Sequence, residues 1–151
     1  MAQDESRDQD SHNLERFVSA QNGIFERVLT ELRGGQKTTH WMWFIFPQYK
    51  GLGSSSTSRH YAIKSLSEAT AYLEHPVLGG RLLECCQALL QLECKSAHEI
   101  FGYPDELKLR SCMTLFESIS PSNSIFSEVL QKYFGGQKDQ YTLTLISTDD
   151  H

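Results

Sequence analysis

The chain has 151 residues and a mass of 17.2 kDa, with 39% hydrophobic, 22% charged and 11% aromatic residues. That suits one domain of roughly 100–200 residues with a core that needs no metal or disulfide staple, and excludes a disordered chain. The net charge of −5 sits at the ends: Asp4, Glu5, Asp8 and Asp10 against Arg7 at one, Asp149 and Asp150 at the other. Residues 11–148 are balanced and lack the basic excess of a nucleic-acid-binding domain.

In chain order, residues 1–11 are polar and acidic and read as a disordered tail. Their acidity is unlike a signal peptide, and apolar runs of about seven residues around Phe44 fall short of the roughly 18–20 that a membrane helix needs. The expected location is therefore cytoplasmic, with no membrane partner. Leu14, Phe17, Val18, Ile24, Phe25, Val28, Leu29 and Leu32 recur at helical spacing, predicting one helix capped by Asn13 and stopped at Gly34-Gly35. Residues 35–64 show no convincing period. A helix then starts at a Ser65/Glu68 capping box and ends before Pro76, which opens another running to about Leu92. Ser96 and Glu99 box a short turn ending at Gly102, and Pro104 with Asp105 and Glu106 begins a helix that reaches Ile119.

A further helix spans about Asn123 to Gly135-Gly136, Tyr141 to Ile146 suggests a final helical turn, and 148–151 form a C-terminal tail. The expectation is a mainly α fold, a single compact multi-helix domain over 12–147 with an irregular aromatic and basic middle. Cys85, Cys86, Cys94 and Cys112 lack metal-ligand spacing and read as small buried hydrophobes, so neither metal nor cofactor is expected. IFERVLTELRGGQK (24–37) and IFSEVLQKYFGGQK (125–138) echo each other, two apolar faces with the same double-glycine stop.

The middle concentrates the chemistry. No acid occurs between Glu31 and Glu68, whereas Arg33, Lys37, Lys50, Arg59 and Lys64 do, a local field that attracts anions unless acids elsewhere in the fold answer it. Phe44, Phe46 and at least one tryptophan are expected in the core. Trp41, Trp43 and Tyr61 offer flat faces for a base or sugar, and Gln48, Arg59 and Lys108 offer polar contacts to a phosphorylated ligand. Asp105 and Lys108 lie at i, i+3 on one helix face; they are either a surface ion pair or candidate catalytic residues, Lys108 toward the anion and Asp105 as acid/base or ribose ligand. Glu99 is a rival carboxylate already explained by its capping box, and His75 is expected to bond backbone at a helix junction.

Four motifs add a resemblance: Trp-x-Trp-Phe-Ile-Phe-Pro-Gln (41–48), Gly-Leu-Gly-x-Ser (51–55), Tyr-Leu-x-His-Pro-x-Leu-Gly-x-Arg-Leu (72–82) and Glu-Ile-Phe-Gly-x-Pro-Asp-x-x-Lys-Leu-x-Ser-x-Met-Thr-Leu-Phe (99–116). Over about residues 13–146 the chain resembles domain-of-unknown-function family 1810, which implies a small, mainly helical intracellular domain. Members are sometimes labelled calpastatin-like, a label that capped amphipathic helices do not support, since a calpastatin inhibitory segment is disordered. The family is also distantly similar in fold to YbiA-like proteins, some of which cleave N-glycosidic bonds on ADP-ribose-like or riboflavin-precursor substrates; no YbiA catalytic motif matches residue by residue. Two functions are carried forward. One is a pocket for a phosphorylated small molecule, nucleotide or ADP-ribose-like, with N-glycosidase activity as its enzymatic form. The other is a non-enzymatic protein-interaction module that uses the aromatic middle.

Overall fold

The computed structural model describes residues 10–149. The expected acidic tail lies, apart from Asp10 and Ser11, outside the described residues, as do Asp150 and His151 of the C-terminal tail. The described residues form ten helices: α1 Glu15–Gln21, α2 Phe25–Arg33, α3 Met42–Ile45, α4 Ser56–His60, α5 Leu66–Glu74, α6 Leu78–Gln91, α7 Ala97–Phe101, α8 Asp105–Ser118, α9 Ile125–Phe134 and α10 Gln140–Asp149. The fold is all-α, as the periodicity predicts.

The helix expected over the first apolar stretch is two. Gly23 adopts φ +84°, a left-handed value that interrupts α-helical bonding, and α2 restarts after it at a new angle. Asn13 is not the cap, being itself at φ +54°; the Asp10 carboxylate instead accepts from the Leu14 and Glu15 amides. Gly35 at φ +76° makes the expected stop after α2, and Gly135 at φ +62° makes the equivalent stop after α9. Ser65 accepts from the Glu68 amide, but Glu68 does not return the bond, whereas the Ser96/Glu99 box is complete. The turn expected near Tyr141 is the longer helix α10, capped by Asp139, whose Oδ2 accepts from the Thr142 amide at 2.9 Å.

Helix α6 lies at the centre, packed on α2, α5 and α9, and α8 packs on α5, α7, α9 and α10. The two helices of the echoed segments thus flank the same central helix. Phe17, Tyr72, Phe116 and Phe126 form a chain of ring contacts with centroids 5.0 to 5.7 Å apart. Trp41 and Phe46 both pack on Phe101, and each is at most 1% exposed, so the core expectation for Phe46 and one tryptophan holds. Burying each such ring contributes about 1.5–3 kcal/mol. Cys85, Cys86 and Cys112 are buried as expected, and burial pushes all three thiols up. Cys94 departs from the expectation: it is exposed, at φ +60° in the link after α6. No described helix is long and apolar enough to cross a membrane.

Candidate functional site

The middle segment is a closed loop fastened at three places. An isolated parallel bridge joins Tyr49 to Ile63; the Ile63 amide donates to the Gln48 carbonyl and the Lys50 amide to the Ile63 carbonyl, both at 2.9 Å. At its base the Glu31 carboxylate accepts from the Thr38 and Thr39 amides, the Thr39 hydroxyl and the Trp41 indole, at 2.6 to 3.1 Å. Burial alone raises the Glu31 pKa, but these donors outweigh it and hold the carboxyl at about 2. The far side is held by Arg16. All five of its N–H groups are used: on the carbonyls of His12, Asn13, His60 and Ala62, and on Glu68 Oε2 at 2.6 Å. Glu68 Oε1 accepts from the Lys64 amide, which explains why this side chain leaves its capping box half made.

Two adjoining cavities lie over this loop. The first, of about 230 Å³, is lined by Trp43, Gln48, Lys50, Arg59, Tyr61 and Lys64 among others, and no carboxylate among the described residues lines it. The second, of about 410 Å³, shares Trp43, Gln48, Gly53 and Ser58 and continues to Lys108, Ser111 and Asp139 on the far wall. Small-molecule pockets span about 300–1,000 Å³, so the second falls inside that range and the first just below it. The Arg59 side chain makes no hydrogen bond or ion pair among the described residues, and the Tyr61 ring is propped by Phe17 and Phe44 at 5.7 and 5.4 Å.

On the opposite side Trp43 and Lys108 reach the second cavity, and behind them lysines and tryptophans alternate about one acid. Lys108 Nζ lies 4.9 Å over the Trp43 ring and 3.3 Å from Asp105 Oδ1. Asp105 Oδ2 is 2.9 Å from Lys37 Nζ, which lies 5.1 Å over Trp41. The carboxylate therefore holds both ammonium groups against their rings, a cation–π geometry favoured where the charge is partly desolvated.

Trp43, Gln48, Arg59, Tyr61 and Lys108 are thus brought together around one groove. Trp41 is 1% exposed, with its indole spent on Glu31, and lines neither cavity. Asp105 also lines neither and reaches the groove through Lys108. His75 Nδ1 accepts from the Val77 and Leu78 amides at 3.1 and 3.3 Å, the backbone role expected of it. Glu99 serves its box, and the Ser96 amide and hydroxyl hold its carboxyl below the usual range. Ser111, on the same helix face as Lys108 in the sequence, lines the second cavity with it, whereas sequence reasoning missed the roles of Arg16, Glu31, Glu68 and Asp139. For Glu31 a signal existed, a carboxylate three residues after Val28 beside the apolar stripe of α2. No group of three His, Cys, Asp or Glu among the described residues could hold a metal ion.

A family model described as "Protein of unknown function (DUF1810)" matches residues 11–146. The chain belongs to that family. It is similar to the crystal structure of the conserved hypothetical protein Rv1873 from Mycobacterium tuberculosis: identity is 50%, TM-score 0.87, over 89% of this chain and 96% of the other. No curated protein matches the chain. All the residues that build the groove lie inside the family match.

Proposed function

We propose that the groove binds a phosphorylated small molecule with a flat ring, a nucleotide or an ADP-ribose-like compound. The observation that carries this reading is the first cavity's lining: Lys50, Arg59 and Lys64 with no carboxylate among the described residues, beside the Tyr61 and Trp43 rings. Cations complement phosphate and an aromatic face stacks a base, and the two occur here within one small concavity. Lys108, on the other wall, meets the same ligand, and Asp105 is a positioning residue that fixes the ammonium over Trp43.

The enzymatic form of the reading is N-glycosidic cleavage, an analogy with YbiA-like proteins that rests on the sequence motifs alone and carries no catalytic residue across. Such chemistry needs a carboxylate beside the anomeric carbon. Among the described residues Asp139 is the one carboxylate lining the two cavities, and its Oδ2 is held by the Thr142 amide and hydroxyl. Ligand binding is therefore the better-supported part. The interaction-module reading rests on the aromatic middle, where Trp41 and Phe46 are buried; the exposed Tyr103 and Leu107, at 75% and 41%, lie outside that segment.

A thermal-shift screen of nucleotides, ADP-ribose and sugar phosphates against the wild type, Arg59→Ala and Lys108→Ala tests the proposal. Each cation should contribute a charge-assisted hydrogen bond of about 1.5–3 kcal/mol, roughly 10- to 150-fold in affinity. A stabilising ligand weakened in both variants, with unliganded melting near wild type, is the expected result. A screen without a hit shifts the preference to the interaction module, and a steep loss of affinity with salt would indicate a nucleic-acid ligand instead.

A further inference from the structure

The two adjoining cavities over the middle loop differ in charge. In the first, no acid among the described residues pairs with the side chains of Arg59 and Lys64. In the second, the cation Lys108 is already paired with Asp105 at 3.3 Å, and Asp139 brings a carboxylate to the wall together with four serines. Asp139 is fixed by α8 and α10: its amide donates to the Thr114 hydroxyl, and its Oδ2 accepts from the Thr142 amide and hydroxyl at 2.9 and 2.6 Å. The other oxygen, Oδ1, makes no hydrogen bond among the described residues and keeps accessible surface, unlike the sealed Nε of Arg110. Arg110 Nη2 stands 3.8 Å from Oδ1, but Arg110 lines the cavity beyond and not this one.

A carboxylate oxygen accepts hydrogen bonds and donates none. It therefore suits a hydroxyl and repels a phosphate, and a like-charge contact of this kind sets specificity by rejecting the wrong ligand. We propose that the groove ligand has one anionic end, a phosphomonoester seated in the first cavity. Asp139 is then the specificity-determining residue at the other end, where it accepts a hydroxyl from a neutral sugar and rejects a second phosphate. The sizes agree with that division: the phosphate takes the cavity of about 230 Å³ and the bulkier neutral part the one of about 410 Å³. Lys108, over the Trp43 ring that lines both, meets the ligand where the two cavities join. The inference rests on the function proposed above and narrows its ligand class to nucleoside monophosphates and singly phosphorylated sugars.

Calorimetry with two pairs of probes tests it: AMP against adenosine 3′,5′-bisphosphate, and ribose 5-phosphate against ribose 1,5-bisphosphate, each in the wild type and in Asp139→Asn. Asparagine keeps an acceptor for Thr142 and removes the charge. In the wild type the singly phosphorylated member of at least one pair should bind at least about tenfold tighter than its bisphosphate. In Asp139→Asn that preference should fall below about threefold because the bisphosphate gains affinity, a gain that the loss of a merely structural contact does not produce. A wild type that binds the bisphosphate as tightly as the monophosphate overturns the inference and leaves the groove reading standing, and so does a preference unchanged in the variant. Should Asp139→Asn not fold, wild-type titrations at about 0.02 M and about 0.5 M salt decide: a preference set by repulsion shrinks as salt rises, and one independent of salt overturns the inference. If no probe binds the wild type, the function proposed above fails and this inference fails with it.

Discussion

Glu31 shows how one buried carboxylate can organise the non-helical stretch between α2 and α3. Four donors converge on it from Thr38, Thr39 and Trp41, so the turn entering the aromatic middle is fixed by a side chain rather than by a helix or sheet ladder. The same arrangement makes its contribution pH-dependent. The folded pKa of about 2 lies below the ordinary 4.5, so the stabilisation is complete above about pH 4.5 and is withdrawn as the pH falls toward 2. The gap corresponds to about 3 kcal/mol. We expect Glu31→Gln to lose about 2–3 kcal/mol at pH 7, since a neutral amide accepts these hydrogen bonds more weakly and turns its own N–H groups toward donors. Its denaturant midpoint should also fall less steeply than that of the wild type between pH 4.5 and 2. Parallel pH profiles for the two proteins would show that other groups govern acid sensitivity.

At the scale of elements, α5 and α6 approach each other closely at Gly79. A Cβ built on Gly79 would stand 2.0 Å from the Leu73 carbonyl oxygen, and that oxygen is backbone, unable to move aside. Gly79→Ala must therefore separate two helices that both pack into the core, and a loss of about 3 kcal/mol or more in equilibrium unfolding is expected. Gly80→Ala is the control: its Cβ would meet nothing within 4 Å, and replacing a helical glycine should stabilise by about 0.5–1 kcal/mol. The element level was also the most legible in the sequence. Helical spacing, the Ser96/Glu99 box, Pro104 and the double-glycine stops each report a local cause, and the structure repeats them. The break at Gly23 was missed because the apolar spacing runs unchanged through it; the left-handed conformation that divides α1 from α2 leaves no mark on periodicity. The cap by Asp10 was missed for a related reason, since it lies five residues before the first residue of α1, outside the usual capping position.

Over the whole molecule, the groove depends on contacts between residues far apart in the chain, and there the sequence was legible in part. Trp43, Gln48, Arg59, Tyr61 and Lys108 could be singled out because their types were unusual for packing in an acid-free stretch or beside a proline-opened helix. Arg16 could not, because its partners at 60, 62 and 68 are carbonyls and a carboxylate that only the fold brings to it. Yet Arg16 and Glu68 hold the outer wall of the first cavity, with side chains 5% and 2% exposed. Arg16→Met should cost about 3–5 kcal/mol, because it leaves the Glu68 charge buried and four carbonyl groups without their donor. Glu68→Gln keeps an acceptor for Lys64 and should cost less. If the pair acts as one clamp, the double variant will be more stable than the sum of the two losses implies, with a coupling of about 1–3 kcal/mol in a double-mutant cycle. The same variants should broaden or shift backbone resonances from Arg59 to Lys64 while leaving those around Lys108, on the other wall, near their wild-type positions. Additive losses, or equal disturbance of both walls, would mean that Arg16 stabilises the fold at large and does not shape the groove.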